Sequence, residues 1–290
     1  MATEVLKIYG DRKSQPTRAV MLFCKSIKTS ACVLKFLSWY QSRKVITKKE
    51  LKTKDPRYEE LQDLKKIGNI AREEERLNGI DFEEFTVELF NQEHLSPQFE
   101  EINPVKEIPV IFHGDFKLSE SHAILIYLAS AFPDVADHWY PADAKKRALI
   151  HSVLDWHHCH LRRGAMGYLL NTILGPARGL TMNPQSALEC EKILKSALSN
   201  LESFWLKDTG KYLLGYDQSS IADLSLICEL MQFEVLDEEE KNKIFSPYKK
   251  VQQWMADIKT ATRPQFDDVH QHLLFVDRPR FREAVGRSAN

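Results

Sequence analysis

The sequence predicts an α/β N-terminal domain followed by an all-α C-terminal domain. Up to about residue 132, short apolar or alternating stretches typical of strands are interleaved with helical segments. Beyond a turn-rich connection at 133–141, the apolar residues recur with helical spacing. A chain of 290 residues is long enough for two domains.

The first elements in order are a strand, a loop and a helix. Leu6 to Tyr9 is a short apolar stretch. Gln15 and Pro16 then precede apolar residues, and proline near a helix start predicts a helix from this point. Residues 82–90 alternate between apolar and polar types, as a half-buried strand does.

A hairpin and a further helix complete this half. Residues 108–112 and 116–118 form two strands around a His-Gly-Asp turn, and Ser119 or Ser121 can cap a helix that runs to about residue 131. The resulting order β-α-β-α-β-β-α is that of a thioredoxin-like domain, with right-handed crossovers between parallel strands.

The second half reads as helices separated by Pro, Gly and Asp clusters. Ser220 and Asp223 have the spacing of a capping box, which is a structural signal. The acidic run that starts at Asp237 is interpreted as a solvated helix start. The helices are expected near 143–173, 185–206, 220–234 and 248–261. The expected organisation is a first domain at 1–132, a linker at 133–141, a helical domain at 142–275 and a tail at 276–290.

Residues 26–77 differ in composition from the rest of the chain. They contain 13 Lys or Arg against 8 Asp or Glu, whereas the whole chain has a formal net charge of -1. Residues 57–77 have an apolar residue at about every third position, which is compatible with a weakly amphipathic helix. We interpret 26–77 as an inserted segment of unknown role, which is either expressed or the product of a retained intron.

Composition excludes several classes of partner. With a net charge of -1, the chain lacks the overall positive charge that favours binding to nucleic acid or to an anionic membrane. No apolar run is long enough to span a bilayer, and no secretory signal is visible. Five widely spaced cysteines without a Cys-x-x-Cys motif argue against a disulfide framework. The sequence therefore predicts a cytosolic protein with free thiols.

The histidine-rich run at 157–160 invites a metal hypothesis. In an α-helix only His157 and His160 of this run could share a face, so no metal site is predicted.

Residues 14–20, Ser-Gln-Pro-Thr-Arg-Ala-Val, resemble the Ser-Gln-Pro-Ser-Arg-Ala-Val signature of theta-class glutathione transferases. Outside 26–77, nearly the whole chain is similar to the plant branch of this class. Further similar segments, in the same order as in the family, are 78–82, 95–97, 102–104, 120–128, 136–141, 151–158, 161–164 and 220–224.

The resemblance implies a cytosolic glutathione transferase architecture, a homodimer and a catalytic role for Ser14. Independently, Ser14 precedes a helix, whose amides and dipole favour a thiolate over a thiol. A glutaredoxin-type mechanism fails because a serine stands at position 14. The resemblance implies glutathione as co-substrate without another cofactor, bound by Ser14, Gln15, His94, Leu95, Glu107, Ile108, Pro109, Glu120 and Ser121.

Individual roles follow from the same resemblance. Glu120 and Ser121 would hold the γ-glutamyl group, and a cis Pro109 would turn the Ile108 backbone toward the cysteinyl part. His94 would lie near the glycine end, beside Leu95. Trp156, His160 and Arg162 would line the electrophile site.

Position 107 departs from the family pattern. Where a lysine is expected to face the glycine carboxylate of glutathione, this chain has Glu107, which would repel it. The leading hypothesis is conjugation of glutathione to small hydrophobic electrophiles, with reduction of organic hydroperoxides as a second activity. The alternative is a non-catalytic binding or scaffold protein, disabled by the insertion and Glu107.

Overall fold

The computed structural model describes residues 5–27, 79–133 and 135–274. Most of the proposed inserted segment, including the helix predicted at 57–77, and the proposed tail at 276–290 lie outside these residues.

A mixed four-stranded sheet forms the N-terminal part. Its strand order is β2-β1-β3-β4, with β1 and β2 parallel and the other neighbouring pairs antiparallel. Ile8 of β1 pairs with Ile111 of β3, and both side chains are fully buried. The strands are β1 (Leu6–Gly10), β2 (Phe82–Thr86), β3 (Val110–His113) and β4 (Phe116–Ser119).

Three helices accompany the sheet and confirm the predicted thioredoxin-like order. Two sequence predictions need correction. Strand β2 ends at Thr86 and is largely exposed instead of half-buried, because it forms an edge of the sheet. The N-cap of the helix after β4 is Glu120, whereas Ser119 belongs to β4 and Ser121 is the first helical residue. The helices are α1 (Gln15–Ser26), α2 (Pro97–Ile102) and α3 (Ser121–Ala131).

The remainder of the described chain is helical, as predicted. The helix expected at 143–173 is a continuous run in which π-helical segments interrupt the α-helix. Its parts are α4 (Ala144–Trp156), a π segment (His157–Arg162), α5 (Arg163–Leu169) and a second π segment (Leu170–Leu174). The following helices are α6 (Pro184–Asn200), α7 (Ile221–Leu230), α8 (Glu238–Phe245), α9 (Lys249–Ala261) and α10 (Gln265–Leu274).

Helix α10 was not predicted, although the sequence contains a signal for it. Pro264 precedes the helix, and Phe266, Val269 and Leu273 recur with helical spacing. All three side chains are buried, and α10 packs against α1.

The predicted start of α8 is confirmed, because the Asp237 side chain accepts a hydrogen bond from the Glu240 amide at 2.8 Å.

The capping box at the start of α7 is also confirmed. The carboxylate of Asp223 accepts hydrogen bonds from the Ser220 amide and hydroxyl, both at 2.8 Å. It also accepts from the Leu213 amide at 3.0 Å and the Trp254 indole at 2.8 Å. This fully buried aspartate therefore joins α7 to α9 and to the preceding loop.

Helix α1 links the two parts of the molecule. Its residues Ala19 to Cys24 are almost completely buried, and it packs on α3, α7 and α10. At its end, the Cys24 carbonyl accepts a hydrogen bond from the Ile80 amide at 2.8 Å. The described residues on either side of the proposed insertion are therefore adjacent in space.

Among the residues that the structure describes, no helix is both long and apolar enough to cross a membrane.

Candidate active site

A cavity of about 830 Å³ lies between the sheet part and the helical part. This volume is within the range of small-molecule sites. Its walls come from the loop before α1, segments 89–95 and 105–109, the start of α3, the π segment 157–162 and helix α7. The cavity contains Ser14, Gln15, His94, Leu95, Glu107, Ile108, Pro109, Glu120, Ser121 and Arg162, which the sequence predicted as site residues.

Ser14 occupies the N-cap position of α1, but its side chain makes no capping hydrogen bond. Its backbone is extended, and the residue is buried against the cavity. N-cap serines ordinarily use their hydroxyl oxygen to accept from an amide of the first helical turn. The hydroxyl of Ser14 is therefore not committed to its own helix and remains accessible to a ligand in the cavity.

The loop that carries Ser14 is held by Asp11. One carboxylate oxygen accepts from the Lys13 amide at 2.8 Å, and the other accepts from the Leu89 amide at 3.1 Å. The Ser14 amide donates to the Asp11 carbonyl at 2.8 Å. Asp11 thus ties two segments of the cavity wall together, and the sequence analysis did not identify it.

Arg18 of α1 also holds this loop in place, through hydrogen bonds to its backbone. Its fully buried guanidinium donates to the carbonyls of Arg12 at 2.8 Å and Lys13 at 3.0 Å. It also donates to the Cys228 carbonyl at 3.0 Å and the Gln232 side chain at 2.9 Å, both in the helical part. Burial lowers the pKa of Arg18 to about 10, against the opposing effect of Cys228, Glu229 and Asp11.

A cis peptide bond precedes Pro109, as the resemblance implied. Beside it, Lys106 and Glu107 also line the cavity. Lys106 forms an ion pair with Glu100 at 2.9 Å. The Asn103 side-chain amide donates to the Glu107 carbonyl at 2.8 Å, which fixes this part of the wall.

The start of α3 forms the opposite wall. Glu120 has φ 68 and ψ 109, an unfavourable backbone conformation for a non-glycine residue. Strained residues of this kind concentrate at functional sites. The next residue, Ser121, is buried at the first position of the helix, where unpaired amides attract anions.

Gln15, His94 and Leu95 complete the predicted glutathione half. The Gln15 side-chain amide donates to the Met166 sulfur at 3.1 Å, a contact that joins α1 to α5. His94 and Leu95 lie in a short 3-10 turn. The buried Nδ1 atom of His94 has no hydrogen-bond partner among the described residues.

The cavity floor is a buried polar cluster from the helical part. Arg162 donates to Glu229 at 2.9 Å, and the His157 Nε2 atom lies 3.5 Å from the same carboxylate oxygen. Burial raises the pKa of Glu229, but His157 and Arg162 have the larger combined effect and leave it lowered. Glu229 is therefore an anion at neutral pH.

His122 connects this cluster to helix α3. Its Nε2 atom contacts the Ser225 hydroxyl at 2.8 Å and the His157 Nδ1 atom at 3.2 Å. Burial, together with the nearby His157, His158 and Arg162, lowers the pKa of His122 to about 2. Burial, together with His157 and Arg162, also lowers the pKa of His158, against the opposing effect of Glu120 and Glu229. His122 is therefore neutral over the physiological range.

The structure does not bring all predicted electrophile-site residues together. Arg162 lines the cavity, but Trp156 and His160 do not. Trp156 stacks on His160, with ring centroids 5.9 Å apart, and contacts Trp205. The π segment gives His157 and His158 places in the cavity wall, which α-helical periodicity did not predict.

Further cavity residues were missed in the sequence analysis. Met166, Arg178, Ser225, Glu229 and Gln232 each line the wall. The sequence contained a signal for Glu229, because it is a charged residue within the apolar run of α7. Glutamate is rarely fully buried unless it is paired, so its position predicts a buried polar contact. In the described part of the chain, no group of three or more His, Cys, Asp or Glu residues could hold a metal ion.

Family models match both parts of the chain. The model described as Glutathione S-transferase, N-terminal domain, matches residues 75–130, and that described as Glutathione S-transferase, C-terminal domain, matches residues 181–265. Glutathione S-transferase T1 of Arabidopsis thaliana is 48% identical over 93% of this chain and 90% of that protein. Glutathione S-transferase T3 of the same plant is 46% identical over 93% of this chain, which spans 37% of that longer protein.

Solved structures of human theta-class enzymes are similar throughout. Human glutathione transferase theta-2, in a complex with glutathione and an unknown ligand, has a TM-score of 0.69 and 26% identity. That comparison covers 98% of this chain and 99% of the human one. The apo form of human glutathione-S-transferase T1-1 gives a TM-score of 0.68 with 26% identity and 98% coverage of both chains.

Proposed function

The chain belongs to the theta class of the glutathione S-transferase family, and we propose that it activates glutathione with the Ser14 hydroxyl. It is a glutathione transferase, and it needs no cofactor beyond glutathione as co-substrate.

The observation that carries the proposal is the uncommitted hydroxyl of Ser14 at the start of α1. A hydroxyl that does not cap its own helix can donate to a sulfur atom in the cavity. The unpaired amides and the dipole of α1 also favour negative charge there. Both effects stabilise a thiolate and lower the pKa of a bound glutathione thiol.

The other walls support the placement of glutathione. We assign the γ-glutamyl group to Glu120 and Ser121, because the amides at the start of α3 suit its carboxylate and Glu120 suits its ammonium group. The backbone of Ile108, before cis Pro109, suits the cysteinyl part. His94 and Leu95 suit the glycine end, and Gln15 and Glu107 line the same cavity.

Two reactions follow from such a thiolate. In conjugation, the sulfur forms a bond to an electrophilic carbon, and the leaving group departs with the bonding electrons. In hydroperoxide reduction, the thiolate takes the terminal oxygen, and the alcohol forms after one proton is added. A second glutathione then releases water and gives glutathione disulfide.

The Ser14→Ala variant tests the proposal. We expect glutathione-dependent turnover of an aralkyl halide to fall by about 100-fold or more, because a donor to the developing charge is lost. Glutathione binding, measured by calorimetry, and thermal unfolding should change little. Ser219→Ala is the matched control, because Ser219 is buried before α7 but does not line the cavity. Normal turnover of Ser14→Ala would overturn the assignment.

We also propose that the protein is a cytosolic homodimer. The support is family membership and the exposure of Phe116 on the edge strand β4, where 46% of the residue is accessible. Light scattering of the purified protein should give the mass of a dimer. The Phe116→Glu variant should dimerise more weakly. A monomer at micromolar concentration would contradict the proposal.

A further inference from the structure

Glu229 is a buried carboxylate that the proposed chemistry does not use. It belongs to α7, is fully buried, and lines the cavity floor. Its Oε2 atom accepts from Arg162, and its Oε1 atom has no hydrogen-bond partner among the described residues. A buried carboxylate oxygen without a hydrogen-bond partner destabilises the folded protein, so its presence calls for an explanation. A functional role for Glu229 is one such explanation.

Arg162 is the more exposed partner of this pair. A third of its side chain is exposed, whereas that of Glu229 is 1% exposed. An arginine side chain has many rotamers, and the Glu229 contact restricts them through a charge-assisted hydrogen bond. Glu229 itself has little freedom, because His157 lies 3.5 Å from the same oxygen and α7 is buried along its length.

We propose that Glu229 is a positioning residue that fixes the Arg162 guanidinium at the cavity floor, where it contacts the electrophile. The inference rests on the proposed function, since it assumes that an electrophile occupies this half of the cavity. A planar guanidinium held in one orientation can stack on an aromatic ring. The site would therefore favour aralkyl electrophiles, and Glu229 would act on their affinity through Arg162.

Binding of S-benzylglutathione provides a test that does not depend on turnover. This probe occupies both halves of the site, whereas glutathione occupies only one. In Glu229→Gln, calorimetry should show about a 10-fold weaker affinity for S-benzylglutathione and an unchanged affinity for glutathione. The KM of an aralkyl halide should rise by a similar factor with less change in kcat.

A double-mutant cycle separates positioning from a general structural effect. If Glu229 acts through Arg162, Arg162→Met should lose the same affinity for S-benzylglutathione, and the double variant should lose no more. Glu202→Gln is the control, because its carboxylate accepts from the amides of Lys250 and Val251, both at 3.0 Å, away from the cavity. That control should bind both probes like the unsubstituted protein.

Thermal unfolding shows whether each variant is folded. If Glu229→Gln does not fold, Arg162→Lys keeps the positive charge beside Glu229 but removes the planar group, and it should still lose S-benzylglutathione affinity. Additive losses in the cycle, an equal loss for glutathione, or no loss for S-benzylglutathione would overturn the inference. Absence of turnover in the unsubstituted protein would overturn the proposed function alone, because the binding measurements still decide the role of Glu229.

Discussion

Single residues determine the chemistry of the cavity. Ser14 is at a helix start, where a serine normally caps, yet its hydroxyl makes no such bond. The sequence motif identified this residue, whereas its uncommitted hydroxyl could be established only from the structure. Arg18, in the same motif, was not assigned a role, because its acceptors Cys228 and Gln232 are distant in sequence.

Glu107 provides a prediction about glutathione affinity. It is exposed and lines the cavity. In the proposed binding mode, its negative charge would repel the glycine carboxylate of glutathione, and the intervening solvent would weaken that repulsion. Glu107→Lys should lower the KM for glutathione by about 3-fold, and the effect should shrink at high salt. Glu101→Lys makes the same charge change outside the cavity and should have little effect. An equal KM for Glu107→Lys and the unsubstituted protein would mean that this side chain does not face the ligand.

The buried His270 leads us to expect that the free energy of unfolding depends on pH. Burial lowers its pKa to about 3, with a smaller contribution from Arg18, although its bond to the Phe266 carbonyl opposes the shift. The unfolded chain, with a histidine pKa near 6.5, therefore binds more protons than the folded protein between about pH 6.5 and 3. The free energy of unfolding should fall as the pH is lowered through this window.

His270→Gln measures that contribution. Glutamine retains a donor for the Phe266 carbonyl but does not titrate. The slope of unfolding free energy against pH below 6 should be shallower in the variant by up to about 1.4 kcal/mol per pH unit. His122, buried with a pKa of about 2, contributes a similar slope in both proteins. Identical slopes would show that His270 titrates normally when folded.

At the scale of elements, periodicity located most helices and strands but not their interruptions. The run after Ala144 was predicted as one helix, and the π segments within it could not be read from apolar spacing. These segments place His157 and His158 in the cavity wall and leave Trp156 and His160 outside it. The electrophile-site prediction depended on that local geometry, and its assignment of Trp156 and His160 has no support from the cavity.

Capping of α7 gives a prediction at the same scale. Ser220→Ala removes the hydroxyl that donates to Asp223 at 2.8 Å. We expect the free energy of unfolding to fall by about 1 kcal/mol, measured by denaturant titration. Ser130→Ala, near the end of α3 and exposed, is the control and should change it by less than about 0.5 kcal/mol. A loss no larger than that of the control would show that the capping box does not stabilise α7.

At the scale of the whole molecule, the sheet and the helical part share one continuous core that runs from Leu6 to Leu273. The order of elements and the helical second half were predictable because both depend on local patterns. The cavity between them was not, because its walls come from segments that are far apart in sequence.

The proposed insertion can be tested by deletion. The hydrogen bond between the Cys24 carbonyl and the Ile80 amide brings the flanking residues together, so a short glycine-serine connection could replace residues 28–78. We expect the shortened protein to unfold cooperatively and to conjugate glutathione, as the full-length chain does. Loss of cooperative unfolding or of glutathione conjugation in the shortened protein would contradict the expectation that residues 28–78 are dispensable.

The most direct test of the Ser14 mechanism is the pKa of the glutathione thiol when it is bound to the protein, measured by titrating thiolate absorbance in the ultraviolet. We predict a value at least about 1.5 units below that of an ordinary free thiol, near 8.5, and a return toward the free value in Ser14→Ala. A bound thiol that titrates like free glutathione, or one whose lowered pKa survives the loss of the Ser14 hydroxyl, would contradict the mechanism.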